Sequence, residues 1–141
     1  MYTIVIVQPD GRVADLPQDI KAKVERVAPH ARVSVLGANV ERPIEAALKA
    51  HAQTSYAILV LTPDDRIVLS DNGAPRASPM QATMLALGFF LGVVGPERIC
   101  VLWAPGAEIP AVLHGLRLLE IDPGGEWVLG LLDALRDAEI A

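Results

Sequence analysis

From Tyr56 to Leu61 the chain reads YAILVL, a run with no charge and no turn-former. A strand wet on one face shows a polar side chain at every second position. This one does not, so both of its faces must be covered. Tyr2 to Val7 and Ile99 to Trp103 repeat the pattern, as YTIVIV and ICVLW. Strands buried on both faces belong to parallel sheets, whose crossover helices cover the two sides.

The segments between these strands carry the required helices. Pro17 stands where a first turn begins, and Ile20, Val24 and Val27 recur at helical spacing from Gln18 to Val27. Ala31 to Leu36 reads as a short strand closed by a Gly37-Ala38-Asn39 turn. Arg42 to Gln53 reads as a second helix, Met80 to Val93 as a buried third, and Trp127 to Arg136 as a closing one. A short helix is expected near Pro110, and Leu116 to Ile121 is a fifth strand candidate. With right-handed crossovers, the expected fold is one α/β domain over residues 1–141, flavodoxin-like, with a five-stranded parallel sheet in the order 2-1-3-4-5. Ligands of such sheets bind beyond the carboxyl ends of the strands. Gln8 to Arg12, Gly37 to Asn39, Thr62 to Arg66 and Ala104 to Gly106 should line that edge. The long connection from Thr62 to Pro79 borders it too, with a small excursion expected at Ile67 to Leu69. A connection of that length is often functional.

Composition narrows the function. Aromatics are 4% of the chain, so aliphatic side chains must build the core. Lys plus Arg is 12 against 17 Asp plus Glu, and a net charge of -5 argues against a broad nucleic-acid surface. One cysteine, Cys100, excludes an intrachain disulfide, and with three dispersed histidines it argues against a zinc site. A cytoplasmic setting is expected. The apolar stretch TMLALGFFLGVVG, from Thr83 to Gly95, is too short to cross roughly 30 Å of hydrocarbon, so no membrane partner is expected.

No GxGxxG follows the first strand, and no P-loop, GxSxG elbow or HExxH is present. The remaining candidates each have two readings. Asp64 and Asp65, directly after the third strand, could form a polar floor for ribose hydroxyls or simply build a turn. Arg76 could meet a phosphate or stand in solvent. Trp103 could stack on a base or pack at the strand edge. Cys100 reads as a small buried hydrophobe, and His51 as a residue at a helix end.

The phrase YAILVLTPDD, a loop, and then MLALGFFLGVVGPERICVLW resembles the nucleotide-binding TIR-like family of prokaryotes. Some members form the N-terminal part of TIR–STING and related anti-phage effectors. The likeness is distinctive over about half the chain, and the first strand, the Pro110 segment and Trp127 fit the same plan more weakly. Family members carry "QN, three residues, E, LGFF" in the central helix. Here that corresponds to Gln81, Ala82, Ala86 and Leu87 to Phe90, so alanine replaces both the asparagine and the glutamate. Gln8-Pro9 stands in place of the usual His-Gly, and Arg76 is displaced from its usual register.

The resemblance implies an NAD⁺ glycohydrolase, with NAD⁺ as substrate, no cofactor and no metal. The implied catalytic position is 86. The implied nucleotide-binding positions are Gln8, Pro9, Asp64, Asp65, Arg76, Ala82 and Trp103. Cleaving the nicotinamide–ribose bond builds positive charge on the ribose, which a carboxylate stabilises and a methyl group does not. The chain as written is therefore expected to be inactive or very weak. Ala86 could be an engineered replacement or a natural one. The alternative to an enzyme is a non-catalytic module for nucleotide binding or TIR–TIR assembly. A receiver-like phosphoacceptor is a third reading, but Asp64 and Asp65 lie past the strand's apolar run and the expected lysine is missing. The family also implies self-association and a fused cyclic-nucleotide sensor of STING or SAVED type. A close at DAEIA just after the last helix is compatible with a domain taken from such a longer protein.

Overall fold

The computed structural model describes residues 2–9, 16–38, 45–63, 70–71, 74–75 and 79–141. Strands β1 (Thr3–Pro9), β2 (Arg32–Ala38), β3 (Tyr56–Leu61), β6 (Ile99–Trp103) and β7 (Arg117–Glu120) form one five-stranded sheet. Its order is β2-β1-β3-β6-β7, and every pairing is parallel. This is the expected 2-1-3-4-5 plan. A two-residue ribbon, β4 (Ser70–Asp71) against β5 (Ala74–Pro75), interrupts the long connection. The excursion expected at Ile67 to Leu69 lies outside the described residues.

The doubly covered strands explain themselves by parity. All six side chains of β3 are buried. Ile58 and Val60 join Ile4, Ile6, Cys100 and Leu102 on one face, where α1 (Leu16–Val27) and α4 (Glu126–Asp137) add Ile20, Val24, Trp127 and Leu131. Ala57, Leu59 and Leu61 join Val5, Val7 and Val101 on the other, where α3 (Pro79–Val93) adds Met80, Ala86, Leu87 and Phe90. Neighbouring strands keep these sets aligned, with Ile6 opposite Ile58 and Ile58 opposite Cys100. A one-residue slip would exchange the two faces, so the register is strongly specified.

Local chemistry sets the helix ends. In α2 (Glu45–Ala50), which stops before the expected Gln53 while Arg42 to Ile44 lie outside the described residues, His51 Nδ1 bonds the carbonyl of Ala47 at 2.8 Å. Thr54 Oγ1 then donates to the carbonyl of His51 at 2.7 Å, and a turn leads into β3. Asp122 accepts from the backbone N–H groups of Glu126 (3.0 Å) and Trp127 (2.9 Å), so its carboxylate holds the first turn of α4. These bonds, that from Glu126 first, keep the Asp122 carboxyl below the usual carboxylate range. Where α4 crosses β7, a Cβ at position 130 would stand 2.8 Å from Leu119 Cδ2, so Gly130 permits the close approach. Near Pro110 the expected helix is a single 3₁₀ turn, Ala111–Leu113.

Candidate functional site

Because the sheet is all parallel, its five carboxyl ends share one edge. Gln8 is the penultimate residue of β1 and pairs with Gly37 of β2. Thr62 follows β3, and Trp103 ends β6. The ladder continues past the strand ends: Ala104 N–H donates to Leu61 O at 2.9 Å, and Ile121 N–H to Trp103 O at 2.8 Å. The loops after β3 and β6 meet there. A Cβ at Gly106, where φ is +89°, would stand 3.4 Å from Pro63 Cγ.

Helix α3 brings the central sequence phrase to this edge by topology. It runs back from the end of β3 towards the start of β6, which follows after the short 3₁₀ turn Pro96–Arg98. Its first half therefore lies against the carboxyl ends of the strands, and its last turns lie at the opposite edge. Met80, Thr83, Ala86, Leu87 and Phe90 are its buried residues, at helical spacing.

The structure brings several of the expected residues to this part of the fold. Ala86 is fully buried in the aliphatic layer with Val5, Val7 and Leu59. Ala82, one turn earlier, is half-buried. Trp103 is half-buried and packs against the same layer, on the α3 side of the sheet. Gln8 is buried. Pro9 contributes its backbone to the β1–β2 pairing. Asp64, Asp65 and Arg76 lie outside the described residues.

Sequence reasoning missed Thr83. Its side chain is fully buried, and its Oγ1 has no hydrogen-bond partner among the described residues. The signal was present: a lone hydroxyl residue between Met80 and Leu87 on the apolar stripe of a helix. Gln8 Oε1 is likewise buried and unpartnered among the described residues. Thr62 is buried at the same edge but has a polar partner. Among the described residues, no cluster of His, Cys, Asp and Glu could hold a metal ion, and no helix is long and apolar enough to cross a membrane.

The sequence model of the CAP12/Pycsar effector protein TIR domain matches residues 10–123. The chain belongs to this family. The matched range runs from just after β1 to the turn before α4, so it includes the carboxyl ends of β2, β3, β6 and β7 and all of α3, but not Gln8 or Pro9. This CAP12/Pycsar TIR domain is also similar to the uncharacterized protein YuaY of Escherichia coli K12, with 34% identity over 86 residues. That alignment covers 61% of the chain and 29% of YuaY, so the chain spans less than a third of this relative. In fold it resembles a diflavin flavoprotein from Nostoc, with a TM-score of 0.51 and 15% identity over 97% of this chain and 90% of that one. That likeness concerns the flavodoxin-like architecture alone.

Proposed function

We propose that this TIR domain is the nucleotide-directed module of an anti-phage effector, built to take NAD⁺ at the carboxyl edge of its sheet. The observation that carries the reading is the family match across residues 10–123. In the proposed reaction, water adds to the anomeric carbon of the nicotinamide ribose as the C–N bond breaks. Nicotinamide leaves with the bonding pair, and ADP-ribose and a proton are the other products. No cofactor enters this balance. Position 86 would have to supply the negative charge that stabilises the ribose cation, and a methyl group supplies none. As written, the domain binds NAD⁺ or a related nucleotide and turns it over very slowly or not at all.

A second reading has its own support. Ala86 exposes none of its surface and packs among aliphatic side chains, as expected if position 86 serves packing. On that reading the domain is a non-catalytic nucleotide-binding or TIR–TIR assembly module, working beside a fused cyclic-nucleotide sensor. Gln8, Pro9, Asp64, Asp65, Arg76, Ala82 and Trp103 remain the proposed nucleotide contacts under both readings.

The test is nicotinamide release from NAD⁺ by the unsubstituted protein and by Ala86→Glu, in the full effector with its activating ligand. Restored turnover in Ala86→Glu supports the enzyme reading. Equal, negligible release from both supports the assembly module. Rapid turnover by the unsubstituted chain would remove position 86 from the mechanism.

A further inference from the structure

Two buried side-chain polar atoms are unpartnered among the described residues: Gln8 Oε1 and Thr83 Oγ1. Native proteins leave few such atoms, because each forfeits its hydration for nothing in return. Neither atom is unpartnered through exposure, since Gln8 is 9% exposed and Thr83 0%. Nor are they scattered. Gln8 is the penultimate residue of β1, and Thr83 lies in the first half of α3, so both stand at the carboxyl edge of the sheet. The opposite edge shows how this fold treats polar groups that need no ligand. There Ser55 Oγ accepts from Thr3 N–H at 3.1 Å, and Thr54 Oγ1 donates to the carbonyl of His51 at 2.7 Å.

We infer that Gln8 and Thr83 are ligand-contacting residues, which together hold an uncharged hydrogen-bonding group of the nucleotide. The inference rests on the nucleotide reading above and specifies which part of the ligand these two residues take. An amide oxygen accepts, and a hydroxyl both donates and accepts. Neither carries charge, so the pair suits a neutral group that donates and accepts, not a phosphate. Two parts of NAD⁺ have that chemistry: a ribose hydroxyl and the nicotinamide carboxamide. Burial makes the pair selective. A ligand lacking the group would leave both atoms unpaired, which is the arrangement that gives hydrogen-bonding sites their discrimination.

The test uses the unsubstituted chain, Thr83→Val, Thr83→Ser and Gln8→Leu. Each is titrated calorimetrically with ADP-ribose, which has ribose hydroxyls and no carboxamide, and with nicotinamide, which has the carboxamide and no ribose. Thermal unfolding without ligand is measured beside it. Thr83→Val and Gln8→Leu are expected to weaken binding of one probe about ten-fold, the scale of one buried hydrogen bond. Thr83→Ser should retain most of the affinity. The weakened probe identifies the group. Without ligand, Thr83→Val should unfold at the same temperature or higher, because it removes an unpartnered hydroxyl at nearly constant shape. Undiminished affinity for both probes in both variants, with the unsubstituted chain binding, would overturn this inference alone. So would a marked fall in the ligand-free unfolding temperature of Thr83→Val, which would give the hydroxyl a structural partner. Failure of the unsubstituted chain to bind either probe would overturn the nucleotide reading and this inference with it.

Discussion

Thr83 and Ala86 stand three residues apart on the sheet-facing side of α3, and neither exposes any surface. One brings a hydroxyl with no partner among the described residues, the other a methyl group packed among aliphatic side chains. Residues at this spacing are neighbours on a helix, so a side chain longer than alanine at 86 would extend beside that hydroxyl.

A carboxylate at position 86 therefore has opposite effects on chemistry and on stability. Ala86→Glu is expected to raise NAD⁺ cleavage by roughly two to four orders of magnitude, the scale of a key electrostatic group. It is also expected to destabilise the fold by on the order of 1–3 kcal/mol, since a polar group enters a layer that now excludes water. Burial raises the pKa of that introduced glutamate. The loss should therefore be smallest below about pH 4, where folded and unfolded forms are both protonated, and grow as pH rises through the unfolded value. Urea denaturation of both proteins between pH 4 and 8 measures it, and a pH-independent difference would contradict a buried carboxyl.

Asp122 works in the other direction. Its carboxyl is held low chiefly by the Glu126 N–H, with the Trp127 N–H beside it. A depressed folded pKa contributes stability above the unfolded pKa, and that stability is lost as pH falls through the folded one. Asp122→Asn should therefore lower the melting temperature at pH 7, and the difference from the unsubstituted protein should shrink on acidification. A gap that widened below pH 4 would show that the carboxylate does not hold α4.

Two glycines differ in the room that packing leaves for a side chain. A Cβ at Gly130 meets Leu119 Cδ2 at 2.8 Å, whereas a Cβ at Gly88 meets nothing within 4 Å. Alanine in place of an interior helical glycine gains about 1 kcal/mol where there is room. Gly88→Ala should thus raise stability by up to about 1 kcal/mol. Gly130→Ala should gain nothing or lose about 1–2 kcal/mol, because overpacking offsets the same propensity gain. Chemical denaturation of the pair ranks them, and the reverse order would reject the α4–β7 contact as the reason for Gly130.

The sheet was legible because burial on both faces leaves a mark in composition. YAILVL has no place for water on either side, and it is the wholly buried central strand. The helices at Gln18 and Trp127 were legible for the opposite reason, since one face of each is wet and the period shows. Their edges were less so. Pro17 stands in the first turn of α1 as expected, but α2 stops at Ala50, where His51 and Thr54 bond backbone carbonyls. The edge that binds ligands in this architecture followed from topology alone. Thr83 did not follow, because a threonine within an apolar helix ordinarily satisfies its own hydroxyl through a backbone carbonyl. Whether such a hydroxyl is satisfied depends on its packing in the fold, which the sequence pattern does not carry.

Cys100 provides the last prediction. It sits in β6 opposite Ile58 and is fully buried. Desolvation first, tempered by the charge of Arg117, pushes its thiol pKa up to about 12 from 9.0. The reactive species is the thiolate, so at pH 8 the native thiol is both inaccessible and protonated. A thiol reagent such as 5,5′-dithiobis(2-nitrobenzoate) should label it negligibly in the folded protein and completely in concentrated urea. The same shift predicts alkaline destabilisation. The unfolded thiol loses its proton near pH 9 while the folded one keeps it, so stability is fully present below that pH and declines as pH rises towards 12. Tyr56, fully buried in the same layer and with its phenol raised by desolvation, acts in the same direction. Cys100→Ala should lose packing but flatten the first part of this alkaline slope. Melting temperatures from pH 7 to 10.5 for both proteins decide it, since parallel curves would mean that the thiol is not the group that titrates.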